Sequence, residues 1–153
     1  MRRGGDGLLR CRMAVVAVGL SVFVPSVASA QQIRIRSITP ASIDFPAPLP
    51  ADFDQGFELF GQTVQVDVQA ANRDWRLDVQ AASATFDFGG KPASHLEWSL
   101  DGSTWFPVLP TPTPVLTSRR RQTVMLQFRI RLDWAADVPG TYSVPIVFSV
   151  QYL

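Results

Sequence analysis

Cysteine and histidine are nearly missing from this chain: its 153 residues carry one of each. A single Cys excludes an intramolecular disulfide framework and any zinc site built on several thiolates. The lone His95 excludes catalytic and metal-binding constellations that need two imidazoles. No G-x-S-x-G, P-loop or H-E-x-x-H motif is present. An excess of either charge is lacking too. The 14 Lys and Arg stand against 13 Asp and Glu, a net charge of +1, which excludes a strongly basic nucleic-acid binder on composition. Long hydrophobic runs are scarce: Met13 to Val24 holds 12 apolar and small residues, short of the roughly 20 that a membrane helix needs. No stretch shows a sustained 3.6-residue period with caps, so long helices are not expected. What is present is apolar content of 46%, enough for one globular domain.

Residues 1 to 30 read as a secretory signal peptide. Arg2, Arg3, Arg10 and Arg12 supply a positive start, Met13 to Val24 the apolar run, and Ala28-Ser29-Ala30 an A-x-A cleavage signal. Cys11 precedes the apolar run and leaves with it. The expected mature domain is residues 31–153, with 10 basic residues against 12 acidic ones and no Cys. No later apolar run is long enough for a span. The expected location is periplasmic, cell-surface or extracellular.

Alternation of apolar and polar residues dominates the rest and predicts strands. Thr63 to Ala70 places its valines on one face, and Asp74 to Val79 repeats the pattern after Ala71-Asn72-Arg73, which predicts a hairpin between the two. Val124 to Trp134 is the longest case, with Val124, Leu126, Phe128, Ile130, Leu132 and Trp134 on one side. The last strand is predicted from Tyr142 to Tyr152. Ile33 and Ile35 alternate with Arg34 and Arg36. His95 to Leu100 and Thr104 to Val108 flank the turn Asp101-Gly102-Ser103, a second hairpin. Shorter strands are expected at Phe57 to Phe60 and Ala84 to Phe88. Pro40 to Pro50 and Pro107 to Pro114 each hold four prolines and read as irregular extended loops. Seven or eight short strands predict an all-β, antiparallel, immunoglobulin-like sandwich.

The chemistry-bearing candidates are few. Asp52, Asp54 and Glu58 lie within seven residues around Gly56, the oxygen-rich composition calcium favours. The spacing departs from an EF-hand, so a solvated turn is expected and no metal site is assigned. Alternation places Trp75, Trp98 and Trp134 in the core. In Trp105-Phe106 one ring must face outward. That pair and Arg119, Arg120 and Arg121 form the candidate ligand surface, facing an anionic envelope glycan. Arg34, Arg36, Arg129 and Arg131 also face outward by alternation and extend the run into a basic stripe; the alternative is pairing of these arginines with Asp67, Asp74, Asp78 or Asp133 across strands. No catalytic residue, cofactor or nucleic-acid partner is expected.

Three resemblances follow from short motifs. Ser99 to Trp105 resembles a sialidase-type Asp box shortened by one residue, which implies a structural hairpin. Trp75-Arg76-Leu77, with Pro139-Gly140-Thr141-Tyr142, is similar to WxL-type bacterial surface domains, which implies non-covalent wall attachment. The C-terminal pattern resembles chaperone–usher pilins and spore-coat-U-like subunits. It joins a penultimate Tyr152, Gly140 fourteenth from the end, and the alternating Val144, Ile146, Phe148 and Val150. That resemblance implies assembly by strand exchange. Ile33, Ile35 and Ile38 are the candidate donor strand, the alternative being that the first strand closes the sandwich within its own chain. Asp137 to Tyr142 resembles the tyrosine corner that opens strand F of an immunoglobulin fold. The pattern then predicts no strand G and a groove that a neighbour's strand fills. The expected role is a non-enzymatic exported structural subunit of fimbrial type, with itself or other exported subunits as partners. The alternative is an envelope or glycan-binding module.

Overall fold

A computed structural model describes residues 33–45, 47–137 and 142–153. The leader assigned to residues 1–30 and the glycine at Gly140 lie outside them. The described chain forms nine strands in order: β1 (Arg34–Thr39), β2 (Phe57–Leu59), β3 (Val64–Gln69), β4 (Trp75–Ala81), β5 (Leu96–Ser99), β6 (Phe106–Pro107), β7 (Thr113–Ser118), β8 (Gln122–Arg131) and β9 (Ile146–Tyr152). One short helix, α1 (Pro50–Gln55), precedes β2. The first sheet runs β1-β3-β8-β5-β6, with β2 also on β8, and the second runs β7-β4-β9. Every strand pair is antiparallel. The fold is the expected all-β antiparallel sandwich, with nine strands rather than seven or eight.

Period-2 patterning explains the core. Val64, Val66 and Val68 of β3 face Trp75, Leu77 and Val79 of β4 across the sandwich, and all six are buried. Val124, Leu126, Phe128 and Ile130 fill the same layer from β8. A pleated strand sends alternate side chains to opposite faces, so this pattern commits each strand to one orientation.

Several expectations are corrected. The segments around β3 and β4 do not form a hairpin; they lie in different sheets. Ala71-Asn72-Arg73 lacks the glycine that two-residue hairpin turns favour, and the connection carries the chain over the edge so that two apolar faces meet. The long strand ends at Arg131 rather than Trp134. Leu132 N–H still continues the β2–β8 ladder to the Gly56 carbonyl at 2.9 Å, and the chain then turns, Asp137 N–H bonding to the Asp133 carbonyl at 2.9 Å. With the chain turned out of the sheet, alternation no longer places a side chain. Trp134 is therefore 60% exposed, stacked on Phe53 at 4.5 Å between centroids, and not in the core. Leu100 likewise lies outside β5 and is exposed. Ala84 to Phe88 is not a strand; only Thr85 makes an isolated bridge, to Pro92. The second proline-rich segment contains the start of β7, with Pro114 on a sheet-edge strand, a place where a missing N–H is tolerated. Residues 50–55 form a helical turn with Pro50 at its start, where its missing donor costs nothing.

Candidate functional site

The two strands nearest the chain ends lie at corresponding edges of the sandwich. β1 pairs only with β3, and β9 only with β4, among the described strands. β1 and β9 also touch each other, so they flank one seam between the sheets. Ile146, Phe148 and Val150 of β9 point inward but are only half-buried, as are Ile33, Ile35 and Ile38 beside them. The opposed positions Ala81, Val79 and Leu77 on β4 are buried. Coverage of the core thus falls off at this seam.

The hydrogen-bond pattern of β9 can be read from its register. Leu153 N–H donates to the Asp74 carbonyl at 2.9 Å, and Ala82 N–H donates to the Pro145 carbonyl at 2.8 Å. In an antiparallel ladder such bonded pairs recur every second residue. Val147, Ser149 and Gln151 therefore direct their backbone groups to β4. Ile146, Phe148 and Val150 direct theirs to the outer edge, where no described strand pairs.

Edges are normally blunted by charge, proline, bulges or shortness. β1 carries Arg34, Arg36 and a register shift between Ile35 and Ser37. β7 carries Pro114, and β6 has two residues including Pro107. β2 has three residues. The seven residues of β9, Ile-Val-Phe-Ser-Val-Gln-Tyr, have no charge, no proline and no glycine. No register shift interrupts its pairing with β4.

Tyr142 lies before β9 rather than within it. Its ring meets Phe86 and Phe88 edge-on at 6.0 and 5.6 Å and closes over Gly89. Val144 is half-buried in the same lead-in. Tyr152 closes the strand beneath Arg73, whose guanidinium sits 4.4 Å from the ring centroid. The backbone of the expected tyrosine corner, residues 138–141, is outside the described residues.

The other candidate surface is not assembled. Arg129 lies between Phe57 and Trp105, 4.8 and 4.4 Å from their centroids, and is paired with Glu97 at 2.6 Å. Arg121 immediately precedes β8, so eight strand residues, roughly 25 Å at the strand rise, separate it from Arg129 and Trp105. Phe106 packs on Trp98 at 5.0 Å while 43% of it stays exposed. Arg119, Arg120 and Arg121 instead line a shallow cavity of about 320 Å³ with Ala70 and Asn72. Arg121 pairs with Asp67 at 3.1 Å, one of the cross-strand pairings expected. Arg119 Nε donates to the Asn72 carbonyl at 3.3 Å.

The carboxylates near Gly56 diverge. Asp52 accepts from Leu49 N–H at 2.6 Å, Asp54 from the Trp134 indole at 3.3 Å, and Glu58 is buried on β2. Burial, with the nearby Asp52 charge, raises the Glu58 pKa. No group of three His, Cys, Asp or Glu able to hold a metal occurs among the described residues. The Asp-box-like loop is a structural turn. Asp101 accepts from Ser103 and Thr104 N–H, both at 2.8 Å, which holds its carboxyl well below the usual range.

The pair Lys91 and Asp137 was not singled out by the sequence. Lys91 Nζ sits 2.6 and 2.7 Å from the two Asp137 oxygens, both side chains being buried. It ties the loop after Gly90 to the turn after β8. Forty-six residues separate the partners, so only tertiary contact reveals it.

The fold class is thus an antiparallel β-sandwich in which, among the described strands, the β9 edge is unprotected. No family model matches the sequence, and no curated protein matches it. The chain is similar in fold to a solved structure from a study of a chaperone–usher pilus and its rod uncoiling. The TM-score is 0.49 at 14% identity, and the match covers 97% of this chain and 100% of that one.

Proposed function

We propose that this chain is a non-enzymatic structural subunit of an exported surface assembly, of fimbrial type, that accepts a β-strand from a neighbour along β9. The observation that supports this is the β9 edge. Its outward N–H and C=O groups at Ile146, Phe148 and Val150 coincide with the apolar side chains that are only half-covered. An added strand would satisfy the first and bury the second in one step, as in other strand-addition complexes. In this reading Ile33 and Ile35 line the receiving seam, because β1 is already hydrogen-bonded to β3. Tyr142 and Val144 fix the lead-in, and Gly140 precedes it. The leader at residues 1–30 supplies the export route. The glycan-binding alternative has less support, since Trp105 and Phe106 stand apart from Arg119 to Arg121.

Hydrogen exchange tests the reading. The amides of Ile146, Phe148 and Val150 are expected to exchange quickly in the monomer and slowly in assembled material. The double change Val147→Lys and Gln151→Lys places charges on the exposed face of β9 and is expected to block assembly without lowering the melting temperature. Assembly that proceeds with those three amides unprotected would refute the proposal.

A further inference from the structure

We infer that the strand added to β9 comes from a different polypeptide and carries an acidic side chain at the end that lies beside Tyr152. This rests on the strand-accepting reading above and adds the chemistry of the partner.

The seam is electrically asymmetric. Arg34 opposes Gln69 at the end of β3, and Trp75 opposes Tyr152 at the start of β4. Residues 34, 69 to 75 and 152 therefore share one end of the sandwich, and the β7–β8 connection joins them, since Trp75 opposes Ser118. Six exposed arginines gather there: Arg34, Arg36, Arg73, Arg119, Arg120 and Arg121. The acidic side chains at that end are Asp67 and Asp74, so positive charge is in excess.

The two arginines that flank the seam itself are held by groups that leave their charge intact. Arg34 donates through Nε and Nη2 to the Gln69 amide oxygen at 3.2 and 3.1 Å. Arg73 lies on the Tyr152 ring at 4.4 Å. Neither is in an ion pair among the described residues. Among the described residues, the other end of the seam has no such cations. Asp87 accepts from Ser143 N–H at 2.8 Å just before β9, and Lys91 is neutralised by Asp137. β9 itself is uncharged between these ends. An incoming strand thus meets cations at one end only, and complementary charge sets both partner choice and direction.

A second copy fits poorly as the donor. Its first strand carries Arg34 and Arg36, which would bring like charge to Arg34 and Arg73 of the acceptor. That strand is also hydrogen-bonded into its own sheet. The described strands of this chain that combine alternation with an acid, β3, β4 and β5, are core strands.

Synthetic nine-residue peptides of alternating valine and serine are the probe, titrated against the full chain by fluorescence anisotropy. Three versions carry two Asp at the N-terminus, two Asp at the C-terminus, or two Lys at either end. A fourth peptide copies residues 31–39. One of the two acidic versions is expected to bind about tenfold more tightly than the lysine version, equivalent to about 1.4 kcal/mol. The advantage is expected to fall below about threefold in the Arg34→Gln, Arg73→Gln double variant, whose circular dichroism confirms folding, and in high salt. Equal binding of acidic and lysine peptides, or an advantage that survives the double variant, overturns the charge assignment. Binding of the 31–39 peptide as tightly as the acidic one overturns the choice of a different polypeptide. Failure of every peptide to bind overturns the strand-accepting reading instead.

Discussion

Trp75 shows how one residue joins the two sheets to a loop. Its ring is fully buried, and its indole N–H donates to the Arg120 carbonyl at 3.1 Å. Trp75→Phe removes that bond and part of the ring. It is expected to cost about 1–2 kcal/mol, read as a lower denaturant midpoint. His95 gives a pH signature. Burial first, and then the Lys91 and Arg131 charges, push its pKa below 6.5. As pH falls below 6.5 the unfolded chain takes the proton before the folded one, so stability is lost between that value and the depressed folded value. His95→Gln is expected to flatten the stability curve in that window, measured by urea unfolding across pH. The burial of Trp75 and Trp98 was legible from alternation, because both sit inside strands. Trp134 was not, because its strand stops three residues earlier.

At the scale of elements, loops are fastened by contacts that local pattern does not announce. The Lys91–Asp137 pair holds two loops in a buried site. Lys91→Ala strands a buried carboxylate and is expected to destabilise by about 3–5 kcal/mol. Replacing both partners by Leu and Met is expected to cost much less, and thermal melts of the three proteins check the order. The β5–β6 hairpin turns on Gly102, whose φ is +73°. Gly102→Ala is expected to cost about 1 kcal/mol from the positive φ. The added Cβ would stand 2.8 Å from Gln127 Oε1, but that flexible amide can move. The turn Asp101-Gly102-Ser103 was readable in the chain because its chemistry is local. β7 was hidden by its prolines, since an edge strand tolerates Pro114 while a linear reading sees a loop. The β3–β4 connection has a hairpin's length, but shortness alone does not say which sheet the next strand joins.

At the scale of the whole molecule, the inward residues of β1 and β9 are half-covered while those of β3 and β4 are buried. Filling the β1–β9 seam should stabilise the entire domain, because a strand that binds only the folded state shifts the unfolding equilibrium. At a hundredfold excess over its Kd, a filling peptide is expected to add about 2.7 kcal/mol, seen as a raised melting temperature in scanning calorimetry. A peptide that binds elsewhere, such as the arginine end alone, would not protect the outward amides of β9, so exchange and calorimetry together separate the two.

The sequence alone determined the all-β class, the inward faces of β3, β4, β8 and β9, and the apolar, uncharged character of the last strand. These are period-2 properties, carried by neighbouring residues and independent of what the strand pairs with. Only the tertiary structure decided that β9 is an edge, that β1 is committed to β3, and that Arg34 and Arg73 stand at the same end of the seam. It also decided that Trp105 and the arginine run are far apart. Those facts depend on strand order and register, which arise from contacts between residues distant in the chain.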